Sequence, residues 1–345
     1  MVNIILTLLA ASLATASQMS VEEFKALPVP EYVKDLKGQE FVDYINNNQP
    51  FYKAEIPKMT YEEFKSRLMA VSFLKKPEQT EKAEELVLDE EIPERFDARE
   101  KWPQCDSIKL IRDQANCGSC WAVSAASAMS DRVCMQSNGA RRTMVSDTDI
   151  LACCGISCGL GCYGGFVLSA WTYAKNKGVC SGGPYKATDC CKPNEFHPCG
   201  KHKDQPYYGE CPDDAKTPAC RARCQFRYRK DYEGDKIYAS SSYWVNENET
   251  AIQKEIMANG PVQAAFRVYT DFMYYTSGVY MYKWGEEAGG HVIKIIGWGV
   301  ENGVKYWLVA NSWNFDWGEE GYFKILRGSN ECGIEEEVAA GMIKV

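Results

Sequence analysis

The first 104 of the 345 residues contain no cysteine and the first 90 no tryptophan, although the whole chain carries 16 cysteines and 9 tryptophans. That void divides the chain into an N-terminal part without cross-links and a remainder dense in thiols. Histidine is scarce too: three in all, too few for zinc ligation to account for so many cysteines. No dense Lys/Arg run occurs, and 39 basic against 47 acidic side chains leave a formal charge of -8, so no nucleic-acid partner is expected. Beyond the N-terminus no apolar stretch is long enough to span a bilayer, and no membrane partner is expected either. Internal repeats are absent. With 45% hydrophobic and 25% charged residues, the composition excludes a disordered or fibrous protein and permits a large core.

What is present begins with Ile4 to Ala14, an apolar run of signal-peptide length, followed by the small-residue triplet Ala14-Thr15-Ala16. This predicts a leader over 1–16, cut after Ala16, and a secretory route that favours disulfides over metal sites. Residues 17–90 read as a separate segment with two amphipathic helices, one carrying Phe41 and Ile45, the other Tyr61, Phe64 and Leu68. Thr60 with Glu63 forms a capping-box signal for the second helix, which is expected to run through Met69 toward Leu74. Glu78 to Glu91 is acid-rich and reads as a solvated, protease-accessible linker.

From there to Val345 the composition turns to Gly, Cys, Trp and Tyr. Ser119 to about Met135 reads as a helix, with Trp121, Ala125, Ala128 and Arg132 on one face. His291–Val300 and Val304–Ala310 flank Asn302-Gly303, a strong hairpin signal. Cys120 therefore falls on the first turn of a helix, with Ser119 as N-cap, where partial positive charge and unpaired N–H groups favour a thiolate. A nearby imidazolium would lower that pKa further, and His291 stands at the start of the hairpin whose second strand Asn311 closes. A two-residue turn pairs position 291 with 314, which leaves Asn311 about 10 Å along the strand; a bulge at Gly297 or Gly299 would shorten the gap. Taken singly, these residues have plainer readings. A lone His, Gln or Asn is usually structural, and Cys117-Gly-Ser-Cys120 alone fits a redox dithiol or two buried thiols.

Together, Gln114, Cys117-Gly-Ser-Cys120-Trp121, Gly289-Gly290-His291 and Asn311-Ser312-Trp313, in that order, resemble the papain-like cysteine proteases. Phe96-Asp-Ala-Arg99, Cys153-Cys154-Gly155, Cys162-Tyr-Gly-Gly165 and a cysteine-rich insertion of about 191–224 resemble the cathepsin B subfamily, and Phe41-Val-Asp-Tyr-Ile-Asn46 is similar to its short propeptide. The resemblance implies an α+β, two-domain papain-like fold: a helical domain with Cys120, a β-barrel-like domain with His291 and Asn311, and a cleft between them. It implies a mature protease over 91–345 and an inhibitory propeptide over 17–90. Cys120 would be the nucleophile, His291 its ion-pair partner and proton donor, and Asn311 the residue orienting the imidazole. Trp313 would shield that bond, and Gln114 would join the Cys120 backbone N–H in binding the oxyanion. Gly165 would leave room for extended substrate. Glu337 would floor the pocket for the second side chain before the cleaved bond and favour Arg there. No cofactor or metal is expected. The implied partners are protein and peptide substrates, the propeptide itself and cystatin-type inhibitors, in a secreted or lysosomal setting.

The chain departs from this family at one loop. In cathepsin B an insertion blocks the end of the cleft that holds the last two residues of a substrate and offers their carboxylate two adjacent histidines. Here Lys201 precedes His202, so the first histidine is replaced. Lys201 is expected to pair with Asp113, and Asp316 loses an arginine partner, since Tyr207 and Tyr208 occupy that stretch. The expectation is an endopeptidase with residual dipeptide release through His202. The family pattern implies bridges 105–134, 117–162, 153–220, 154–158, 191–224 and 199–211, with Cys332 unpaired and Cys180 and Cys190 left over for a seventh. The strip Tyr306 to Glu319 also resembles a variant in cathepsin B-like enzymes of blood-feeding nematodes, which implies dietary or lysosomal protein as substrate. Asn248-Glu-Thr250 is a glycosylation acceptor. Two other classes compete: a thiol-disulfide oxidoreductase, which needs Cys117 and Cys120 both free, and a silent homologue acting as a binding module.

Overall fold

The computed structural model describes residues 19–75, 86–88, 90–212 and 215–345; the expected leader and most of the acidic linker lie outside them. Ser20 and Glu23 close a capping box ahead of α1 (Val21–Ala26). The apolar stripe at Phe41 and Ile45 is buried on α2 (Gly38–Asn48). After β1 (Tyr52–Ala54) comes α3 (Tyr61–Ser66), opened by the Thr60/Glu63 box. This helix is shorter than its sequence suggests. Instead of continuing toward Leu74 it stops at Ser66, and Met69 forms an antiparallel bridge with Gly290. A helix of 6 residues has little intrinsic stability, so pairing with a distant strand decides the backbone there.

The helical half contains α4 (Ala98–Lys101), α5 (Cys120–Gln136), α6 (Asp147–Cys153) and α7 (Val167–Lys177). From Cys120 to Met135 every side of α5 is buried, which its alanines and serines permit by allowing close approach. Two charges within it are paired across to other elements: Asp131 with Lys294 at 2.7 Å and Arg132 with Glu255 at 2.9 Å. Removing one partner of such a buried pair costs about 3–5 kcal/mol, because the other charge is left uncompensated.

The β-rich half is built from β2 (Phe96–Asp97), β3 (Tyr243–Trp244), β4 (Val262–Tyr269), β5 (Tyr275–Tyr280), β6 (Glu287–Glu301), β7 (Val304–Ala310), β8 (Tyr322–Leu326) and β9 (Glu337–Ala340), with α8 (Glu249–Asn259) capped by Asn248. The strand order is β1-β5-β8-β7-β6-β4-β9-β3, with β2 on β6 beyond the end of β4. Since β1 and β3 do not pair, the sheet is open. The barrel-like expectation is corrected to a curving open path that includes a strand from the N-terminal segment. Asn302 and Gly303, both at positive φ (50° and 81°), make the hairpin turn.

All six implied bridges form. Cys120, Cys180, Cys190 and Cys332 remain thiols, so the seventh bridge is not made. Cys180, Cys191 and Asp235 bring donor atoms within 4.8 Å, yet the Cys191 sulfur is bonded to Cys224.

Candidate active site

The β6–β7 hairpin starts in the register its turn dictates, Glu301 opposite Val304, and keeps it to Gly297 opposite Leu308. There it slips by one residue, so that Ile295 faces Val309 and Lys294 faces Ala310. Side chains alternate along a strand, so a one-residue slip exchanges the two faces. Without the bulge, position 311 would lie opposite 294, on the face away from His291; with it, 311 lies opposite 293 and shares the His291 face. The bulge that sequence spacing only allowed for is thus what brings the two side chains together. His291 Nε2 and Asn311 Oδ1 are 2.8 Å apart. Glycine is required at the slip, since a Cβ on Gly297 would meet the Phe96 carbonyl at 2.1 Å. Trp313 covers the pair, its ring 4.8 Å from the imidazole.

Cys120 begins α5, as expected. Ser119 precedes it without capping through its side chain; its hydroxyl contacts the Cys117 carbonyl instead. Cys117 is bridged to Cys162, which removes the redox-dithiol reading. Burial pushes the Cys120 thiol up to about 12, against the opposing pull of the backbone N–H groups of Val292, Trp121 and Cys120 itself. The sulfur therefore lies against the residue next to His291. Burial likewise drives His291 down to about 4, despite the Asn311 hydrogen bond, and the Arg67 charge adds to the drop. Nδ1, the nitrogen not engaged by Asn311, has no hydrogen-bond partner. Burial therefore favours the uncharged forms of both, thiol and imidazole.

The N-terminal segment packs over the site, with Phe64 edge-on against Trp313. Gln114 donates from Nε2 to the Arg67 carbonyl (2.7 Å) and to the Cys117 carbonyl (2.8 Å), so a peptide carbonyl of the segment occupies the donor assigned to the oxyanion. Ser312, which no spacing argument singled out, fixes that amide: its hydroxyl donates to Gln114 Oε1 at 2.7 Å. Met69 then exchanges backbone hydrogen bonds with Gly290 at 2.9 and 2.8 Å. The glycine facing this chain is Gly164, where a Cβ would meet Met69 and Phe73; at Gly165 it would meet the Trp121 ring and the Cys158 carbonyl. Toward the segment it is Gly164 that makes room, while Gly165 also makes room for the Trp121 ring.

Glu337 opens β9 opposite Ala265, which pairs on its other side with Val292. It thus shares a sheet face with the residue that touches the Cys120 sulfur, and it is buried.

The loop differs from expectation. His202, rather than Lys201, makes the contact to Asp113, at 3.6 Å from Nε2, and its Nδ1 lies 2.9 Å from Asp316 Oδ1. One imidazole therefore spans both acids, so Asp316 is not left without a latch. The Asp316 hydrogen bond raises the His202 pKa against the effect of burial. Burial pushes Asp316 up, but the His202 hydrogen bond, with the His202 and Lys58 charges, outweighs it and its carboxyl is held low.

A cysteine at the start of a helix, with a histidine hydrogen-bonded to an asparagine on the neighbouring hairpin, is the arrangement found in thiol proteases. Residues 92–342 match the papain family of cysteine proteases, and the chain belongs to that family. Its similarity within the family is to cathepsin B-like enzymes. It is 49% identical to cathepsin B-like cysteine proteinase 4 of Caenorhabditis elegans, over 90% of this chain and 93% of that one. It is 48% identical to a gut-specific cysteine proteinase of the same species, over 91% and 93%. Among solved structures, procathepsin B S9 from Trypanosoma congolense aligns with a TM-score of 0.75 at 37% identity, covering 90% of this chain and 100% of that one.

Proposed function

We propose that the chain is the precursor of a secreted or lysosomal endopeptidase in which residues 17–90 inhibit residues 91–345. The observation that carries this is the Arg67 carbonyl on Gln114 beside a buried Cys120 and His291. Removal of the segment admits water and lifts the burial that keeps the thiol protonated and the imidazole bare, so proton transfer from sulfur to His291 becomes favourable. The thiolate then attacks the peptide carbonyl carbon, and the electron pair moves to oxygen, which accepts from the Gln114 side chain and the Cys120 N–H. His291 protonates the leaving amine as the C–N bond breaks, leaving a thioester. Water, deprotonated by His291, opens the thioester and restores the pair.

Among the described residues no helix is long and apolar enough to cross a membrane. The gut-specific relative supports dietary protein as substrate. Protein substrates, the N-terminal segment and cystatin-type inhibitors are the partners of this reading. Dipeptide release through His202 would have to use Nε2, since Nδ1 is bonded to Asp316 while Nε2 lies 3.6 Å from Asp113 without a hydrogen bond. Glu337 is the acidic floor that favours Arg at the second position before the cleaved bond. Full-length chain processed at acid pH should cleave Arg-Arg amides and incorporate an epoxide inactivator at Cys120. Glu337→Ala should reduce Arg-Arg cleavage about tenfold relative to Phe-Arg, the worth of one charge-assisted contact. An unchanged ratio would remove Glu337 from the pocket.

A further inference from the structure

We propose that the loop end of the cleft is an acidic subsite for a substrate Arg or Lys just after the cleaved bond, formed by Asp316 and Asp113 on either side of His202. This rests on the peptidase reading above and adds a specificity to it.

Arg67 and Lys58 of the N-terminal segment both reach this end of the cleft. While the Arg67 carbonyl sits on Gln114, the Arg67 side chain lines a cavity of about 540 Å³ with Lys58, Lys201, His202, Trp313 and Asp316. Arg67 is 3% exposed, yet its Nε and Nη1 have no hydrogen-bond partner. A buried guanidinium with two of its three nitrogens unpartnered is costly unless its surroundings are negative. Lys58 of the same segment also approaches this end, 3.6 Å from Asp316 Oδ2. Two cations of the inhibiting segment thus converge where the chain after a cleaved bond would lie.

Both cations leave with the segment, together with Glu55 and Glu63, which line the same cavity. What stays is Asp113, Asp316 and Glu210 against Lys201 and His202. Three carboxylates then face two cations while His202 is protonated, and one cation once it is not. A basic side chain restores the balance, and a free C-terminal carboxylate worsens it. The raised His202 pKa holds its charge to higher pH than a free imidazole would, and that charge is lost as pH rises further. The preference for basic residues therefore grows with pH.

The test uses the full chain, processed at acid pH, on internally quenched peptides identical before the cleaved bond and carrying Arg, Leu or Glu at either of the two positions after it. Arg peptides should exceed Glu peptides about tenfold in kcat/KM at low ionic strength, as one charge-assisted contact would give, and the advantage should shrink with salt. Asp316→Asn should cut the advantage to about threefold, the scale of a solvent-screened pair, and Asp316→Glu should restore it. Epoxide labelling of Cys120 at the wild-type rate shows that each variant keeps its reacting centre. Glu peptides cut as fast as Arg peptides, or an Arg advantage untouched in Asp316→Asn, would overturn the subsite. A chain that cuts no peptide and takes no label overturns the peptidase reading instead.

Discussion

Cys120→Ala is expected to lower kcat/KM by about a millionfold, the scale seen when a protease nucleophile is removed, and to leave a precursor that cannot process itself. The fold should survive, since Cys120 makes no disulfide and the change deletes one sulfur. His291→Ala should cost nearly as much, and the double variant little more than either single one, because the two side chains act as a unit. Measuring all three on a Phe-Arg amide, with circular dichroism to confirm folding, separates this reading from the silent-homologue one. If Cys120→Ala retains a tenth of the activity, the nucleophile lies elsewhere.

Gln114→Ala should reduce kcat about 10²–10³-fold with little change in KM, because an oxyanion donor acts chiefly in the transition state. Its effect on the precursor has the opposite sense. The Arg67 carbonyl loses the 2.7 Å contact that holds it over the reacting centre, so the segment should bind less tightly and yield sooner to an added protease. Ser312→Ala, which frees the Gln114 amide to turn, should produce a smaller drop in kcat. Equal kcat for Gln114→Ala and the unaltered enzyme would show that the oxyanion is held by other donors.

Both experiments bear on a site that local signals reveal unevenly. The capping box at Thr60 and Glu63, the turn at Asn302 and Gly303 and the apolar stripe of α2 all depend on neighbours within a few residues, and each forms where the spacing puts it. The order of the three motifs around Cys120, His291 and Asn311 indicated a thiol protease before any contact was known. The bridge pattern came from family likeness rather than from spacing.

Other features depend on partners far away in the chain. The end of α3 cannot be read from its periodicity, because Met69 pairs with Gly290, more than two hundred residues on. The bulge between Ile295 and Gly297 arises where β2 docks onto β6, and it decides which face Asn311 takes. Lys201 has the expected charge for Asp113, but the geometry of the loop delivers His202 to both acids. Arg67 belongs to a segment with no catalytic motif, and only its placement in the cleft gives it meaning.

The amino-acid order alone was enough to place Cys120 on the first turn of a helix and His291 at the start of a hairpin, since periodicity, turns and alternation are local, and likeness to a family supplied the kind of chemistry. Which faces meet, where α3 stops and which charge guards the loop end were left to long-range pairing. There the desolvation and backbone hydrogen bonding of distant segments outweigh the preferences of any single stretch.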